Sequence, residues 1–162
     1  MKKMLLVAFV LLLPVAVFAE LGVGGAVLYN SPVLVGQKVS EIDLNVSKFS
    51  FGPDLRYKLW ILQLEALVLG SFGSSSSLDG FLDAGLAFDI LFLRLSAGVG
   101  LNGTYNFSDG SFDKGFNTKL NADLKFGKLS VGLTYIVDMD LAGGIHWDLS
   151  SGLLGATIMY WF

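Results

Sequence analysis

GLLGATIMYWF, running from Gly152 to Phe162, is the last stretch of the chain and decides how the rest is read. Counting back from Phe162 in steps of two passes Tyr160, Ile158, Ala156 and Leu154, all apolar. Trp161, Met159, Thr157, Gly155 and Leu153 make the other face. A period of two over some ten residues is a β-strand whose side chains alternate between two environments. A strand of about 9–11 residues is also long enough to cross a bilayer when tilted.

Upstream, the same alternation recurs. Over half of the residues are apolar (53%) and only 15% are charged. Apolar residues distributed by alternation, with no long helical span after the first twenty positions, point to a β-barrel in lipid. Strands are expected over about Glu20–Asn30, Glu41–Lys58, Leu62–Phe72, Gly80–Asp89, Phe92–Gly103, Phe116–Phe126, Leu129–Asp138 and Gly152–Phe162. The second changes phase near Ser47-Lys48, which requires a bulge or a small turn. Three stretches, LRYKLWILQLEAL from Leu55, LAFDILFLRLSAG from Leu86 and LKFGKLSVGLTY from Leu124, read as tight hairpins. They alternate with longer polar connections: Ser31 to Ser40, Gly73 to Asp79, Thr104 to Gly115 and Met139 to Ser151. Tight turns therefore gather on one rim and long loops on the other.

The two faces decide the class. One carries Leu62, Leu64, Ala66 and Val68, then Leu82, Ala84, Leu86 and Phe88, and continues through β-patterned runs to Leu133 and Val137 without a charge. A Lys or Arg on a lipid face costs about 2–4 kcal/mol at the bilayer midplane, so that face suits lipid. The other carries Arg56, Glu65, Asp83, Arg94, Lys119, Asp123 and Lys125 among glycines and serines, which suits a narrow, polar interior. A soluble barrel would need the inverse. Lys58, Asp54, Asp89 and Asp138 fall on the interior face as well, so the two signs nearly balance. Counting hairpin register puts Arg94 beside Ala87, from which Glu65 and Arg94 are expected to meet across that small residue, with Arg56 on Glu65's other flank.

The opening, MKKMLLVAFVLLLPVAVFAE, has Lys2 and Lys3, an apolar run and a small residue at Ala19. It reads as a cleavable signal peptide over residues 1–19, leaving a barrel domain over 20–162. Losing Lys2 and Lys3 makes the remaining chain more acidic than its formal charge of −3. An acidic chain without a basic patch argues against nucleic acid. There is no cysteine, hence no disulfide, zinc–thiolate site or thiol nucleophile.

The mature chain resembles the small eight-stranded bacterial outer-membrane barrels of the OmpA, OmpX and OmpW type: an all-β, antiparallel, up-and-down transmembrane barrel. Its aromatic end, with Leu154, Ala156, Ile158, Tyr160 and Phe162 in alternation, resembles the assembly signal of that class. The resemblance implies export through the Sec pathway, passage by periplasmic chaperones and the barrel-assembly machinery, and residence among outer-membrane lipid and lipopolysaccharide. A monomer without a cofactor is expected.

Chemistry is sparse. The only histidine, His146, stands near Asp148 and Ser150 in HWDLSS. A hydroxyl with a neighbouring base could serve a lipid A-modifying enzyme, yet the context matches neither lipid A enzyme family, and a rim histidine in a loop is the plainer reading. Asp138 and Asp140, with Asp148, could meet a divalent cation, although loop acids are usually just solvated. The sequence reads best as a non-enzymatic barrel with a structural or loop-mediated binding role. A narrow channel for small or apolar solutes is the alternative, ahead of the enzyme and of a soluble periplasmic barrel.

Overall fold

The computed structural model describes residues 19–30, 45–72, 76–140, 146–147 and 152–162. Nine strands run through them: β1 (Ala19–Asn30), β2 (Phe49–Leu59), β3 (Leu62–Ser71), β4 (Ser77–Ile90), β5 (Leu93–Asn106), β6 (Phe112–Phe126), β7 (Leu129–Asp140), β8 (His146–Trp147) and β9 (Leu153–Trp161). Each long strand pairs antiparallel with its sequence neighbour, and β7 pairs with β9. Pairing of β9 with β1, from Gly22 opposite Trp161 to Asn30 opposite Leu153, closes the ring of eight. The two-residue β8 lies only against the end of β7. Among the described residues closure leaves none of the eight long strands at a sheet edge, which is the condition for strands to cross hydrocarbon.

Alternation sets the two environments. On β3, Gln63, Glu65, Leu67, Leu69 and Ser71 are buried, while Leu62, Leu64 and Val68 are exposed. On β9, Thr157, Met159 and Trp161 point inward, and Ile158, Tyr160 and Phe162 point out. Exposed aliphatic and aromatic side chains on every long strand form an outer apolar belt. Charges are buried within: Arg56, Arg94, Lys119, Asp54 and Asp123 are almost fully enclosed. Apolar outside and charged inside is the arrangement of a transmembrane barrel.

Several boundaries differ from the sequence reading. The described part of the second strand starts at Phe49, after a short 3-10 turn over Val46–Lys48 capped by Asn45, whose side chain accepts from the Ser47 N–H. That turn stands at Ser47-Lys48, where the sequence calls for a bulge or a small turn. Residues 31–44 lie outside the described residues. The β5–β6 hairpin is longer than polarity suggested, its loop reduced to Phe107–Ser111. Side chains stitch that polar end: Thr104 donates to Asp79 at 2.7 Å, and Asn106 to Ser111 at 3.1 Å. In the loop the Ser111 N–H donates to Asp109 Oδ1 at 2.9 Å and holds that carboxyl below its ordinary pKa. The stretch from Met139, read as loop, begins as the end of β7 and contains β8.

The tight turns are two residues each: Trp60-Ile61, Leu91-Phe92 and Gly127-Lys128. The first residue of each has positive φ, at 56°, 54° and 67° respectively. Only Gly127 is free of the steric penalty this conformation imposes on a side chain.

Candidate functional site

The lumen gathers the polar chemistry of the described residues. β2 delivers Asp54, Arg56 and Lys58 inward at alternate positions. Arg56 is the hub. It donates to Asp54 Oδ2 from Nη2 at 2.7 Å and to Asp123 Oδ2 from Nη1 at 2.9 Å, and its Nε lies 3.1 Å from Glu65 Oε1. Glu65 stands directly opposite Arg56 in the β2–β3 ladder. Lys119 Nζ reaches the same Glu65 oxygen at 2.5 Å. Asn121 donates to Glu65 Oε2 at 3.1 Å and accepts from Thr134. Asp83 takes a hydrogen bond from Asn117 at 2.6 Å. Glycine makes room for two of these acids, since a Cβ at Gly132 or Gly100 would collide with the carboxylate of Asp123 or Asp83.

A second cluster sits toward the tight turns. Arg94 donates to Asp89 Oδ1 from Nε and to Glu20 Oε2 from Nη2, both at 2.5 Å. Its guanidinium carbon lies 4.1 Å from the centroid of the Trp161 ring. The indole N–H of Trp161 donates in turn to Ser130 at 3.0 Å. Lys58 and Lys125 both approach Asp89 Oδ2, at 3.2 and 3.3 Å.

Arg94 thus does not meet Glu65. The β4–β5 ladder sets Arg94 opposite Asp89 and Ala87 opposite Ser96, two residues away from the register expected from the sequence. With Asp89 beside it and Glu20 within reach, Arg94 is held at the mouth, and Glu65 is taken by Arg56 and Lys119. The expected flank of Arg56 on Glu65 is present.

Toward the long loops the interior changes character. Ala26, Leu28, Leu67, Leu69, Phe81 and Ile136 form a buried apolar cluster inside the barrel, with Leu153 against it. This layer was not foreseen. Residues Ala66 to Leu69 are all apolar, so alternation alone does not tell lumen from lipid there.

Within the polar half, Asp83 Oδ2 and Gln63 Oε1 are buried without a protein partner. Their residues line a cavity of about 10 Å³ together with Ser96, Lys119 and Asn121. That volume suits about one water molecule and no solute. A depression of about 510 Å³ lined by Leu86, Phe88, Leu95, Leu120, Leu133 and Tyr135 lies on the outer apolar surface instead. Asp138, at the end of β7, accepts from Asn102 at 2.7 Å. Among the described residues no group of three or more His, Asp or Glu side chains is placed to hold a metal. Asp148 and Ser150 lie outside the described residues, and His146 is placed only by its backbone in β8. The signal peptide read over 1–19 lies outside them as well, save Ala19.

Two solved structures give the architecture its context. The N-terminal β-barrel domain of Pseudomonas aeruginosa OprF superposes with a TM-score of 0.60 over 90% of this chain and 98% of that one, at 13% identity. This is the fold of the small outer-membrane β-barrels. Ail, the attachment invasion locus protein of Yersinia pestis, superposes with a TM-score of 0.50 over 89% of this chain and 97% of that one, at 14% identity. No protein-family model matches the chain, and no curated protein matches it in sequence. At such identities the likeness carries the outer-membrane barrel fold and not the chemistry. The neighbours therefore assign no role to the lumen network or to the terminal strand.

Proposed function

We propose that this chain is a non-enzymatic outer-membrane barrel whose lumen is closed and whose role is structural or exercised through its long loops. The observation that carries this reading is the filled interior. Among the described residues, charged side chains occupy one half and an apolar cluster the other, with a cavity the size of one water between Glu65, Asp83 and Lys119. An eight-stranded barrel is just wide enough for such side chains to fill. The paired signs, acid against base at Arg56, Arg94 and Lys119, support a packing role, whereas a selective pore would favour one sign. Residence in the bacterial outer membrane after Sec export, and assembly read from Tyr160 and Phe162, belong to the same proposal. The outward aromatic end of β9 supports it, with Tyr160 and Phe162 in edge contact at 5.0 Å.

Planar-bilayer recording tests the reading. The purified chain is expected to give no large, steady conductance; steady currents would overturn closure and favour the narrow channel. Lipid A from expressing cells is expected to keep its mass, and a changed acyl composition would favour the enzyme.

A further inference from the structure

The tight-turn rim carries two features that are costly in water. Its tips are apolar: Leu91 is 90% exposed and Trp60 67%, with Phe92, Ile90, Phe126 and Phe162 exposed beside them. Two of those tips also hold bulky residues at positive φ, Trp60 at 56° and Leu91 at 54°, where glycine or asparagine is the usual choice. Strain retained at an exposed position signals that the surroundings select that residue. The long-loop tip between β5 and β6 is polar at its apex, Ser108-Asp109-Gly110-Ser111, with Asp113 and Lys114 following, although Phe107 and Phe112 are exposed at its flanks.

Length points in the same direction. The outward row on β4 runs without a charge from Leu78 to Ile90. About 12 steps of ~3.3 Å, tilted by ~40°, span roughly 30 Å, more than the ~25 Å apolar band of such barrels. The excess must leave the hydrocarbon on one side. The polar loop tip belongs to the side that leaves, and the apolar tips to the side that stays.

We infer that the barrel sits low, with Trp60-Ile61 and Leu91-Phe92 immersed in the lipid interface on the tight-turn side. The occupant of this rim is lipid at the headgroup–acyl boundary, because the tips continue the outer belt through Phe88, Ile90, Leu62 and Phe126 without interruption. Lys128, at the third turn, stands where a lipid phosphate would meet it. The inference rests on the transmembrane fold and not on whether the lumen conducts.

The absence of native cysteine makes the test direct. Leu91→Cys, Trp60→Cys and Ser108→Cys, each carrying a nitroxide, are reconstituted as the full chain in phosphatidylcholine–phosphatidylglycerol vesicles. Relative accessibility to oxygen and to a water-soluble nickel chelate is then read by power saturation. Oxygen preference at positions 91 and 60 is expected to exceed that at 108 severalfold. A profile at both positions as aqueous as at 108 would overturn the inference and leave the rim to a protein partner. Heat-modifiable migration of each labelled protein keeps a folding failure from being counted as either result; a variant that fails it is replaced by Phe92→Cys, read in the same way.

Discussion

The guanidinium carbon of Arg94 lies over the indole of Trp161, 4.1 Å from its centroid, while the same group holds Glu20 and Asp89. One side chain on β5 thereby touches β1, β4 and β9, across the seam where the first and last long strands meet. A cation over Trp contributes about 0.5–2 kcal/mol according to its desolvation. Trp161→Leu is expected to lower the unfolding free energy in detergent by about that amount. Arg94→Ala should cost more, since it also frees two carboxylates. In the double variant the losses should be less than additive. Denaturant titration followed by gel mobility measures all three, and strict additivity would show that the stacking contributes nothing.

Arg56 is expected to be the most sensitive position of the lumen. Removing it strands Asp54, Glu65 and Asp123 together, and breaking a buried pair typically costs about 3–5 kcal/mol. Arg56→Lys should rescue only part, because an ammonium does not reproduce the planar fork that reaches three acids at once. Arg56→Ala with Glu65→Ala should be less damaging than the sum of the two.

Arg94→Ala and Glu65→Ala share no bonded partner, so their effects should add to within about 0.5 kcal/mol. A large coupling between them, measured in the same denaturant titrations, would mean that the two clusters act as one.

Gly127 offers a clean test of turn strain. A Cβ there would meet nothing within 4 Å, so only the φ of +67° opposes a side chain. Gly127→Ala is expected to cost about 1–2 kcal/mol. An unchanged denaturation midpoint would mean that the hairpin relaxes into another turn.

For the terminal strand, deleting Phe162 should reduce the membrane-inserted fraction while synthesis and export continue. Phe162 also donates its backbone N–H to Leu21 O at 2.9 Å. Replacement by Ser, which keeps that bond, separates the aromatic ring from the backbone. Undiminished insertion of Phe162→Ser combined with Tyr160→Ser would make the aromatic end irrelevant to assembly.

Much of this was legible because a strand in a barrel has only two faces. Leu62 to Ala66 alternates so strictly that inward Glu65 and outward Leu64 follow from parity alone. Parity does not give partners. Moving the turn by a single residue shifts the ladder by two and exchanges Asp89 for Ala87 opposite Arg94, and nothing local fixes that count when the turn residue is Leu91 instead of Gly. Leu67, Leu69 and Phe81 were missed for another reason. An apolar side chain is welcome both in lipid and in a packed lumen, and only the closed ring shows which it received. The length of the β5–β6 hairpin was underestimated because Thr104 and Asn106 look like loop residues until Asp79 and Ser111 are seen to satisfy them.

Asp123 stands 67 positions from Arg56, and Glu20 stands 74 from Arg94. No single hairpin can supply either pair, so an incomplete sheet leaves Asp123 and Glu20 without the guanidinium each meets in the closed ring. Arg56 and Arg94 then keep only the acids of their own hairpins, Asp54 and Glu65 for the first and Asp89 for the second. Contacts of such long sequence separation form late and together. Half-built barrels are therefore penalised in proportion to what they lack, and the ion pairs act as a checkpoint on completeness. A chain with this interior has little to gain from inserting strand by strand, and its outermost loops are free to diverge without touching the device that verifies the ring.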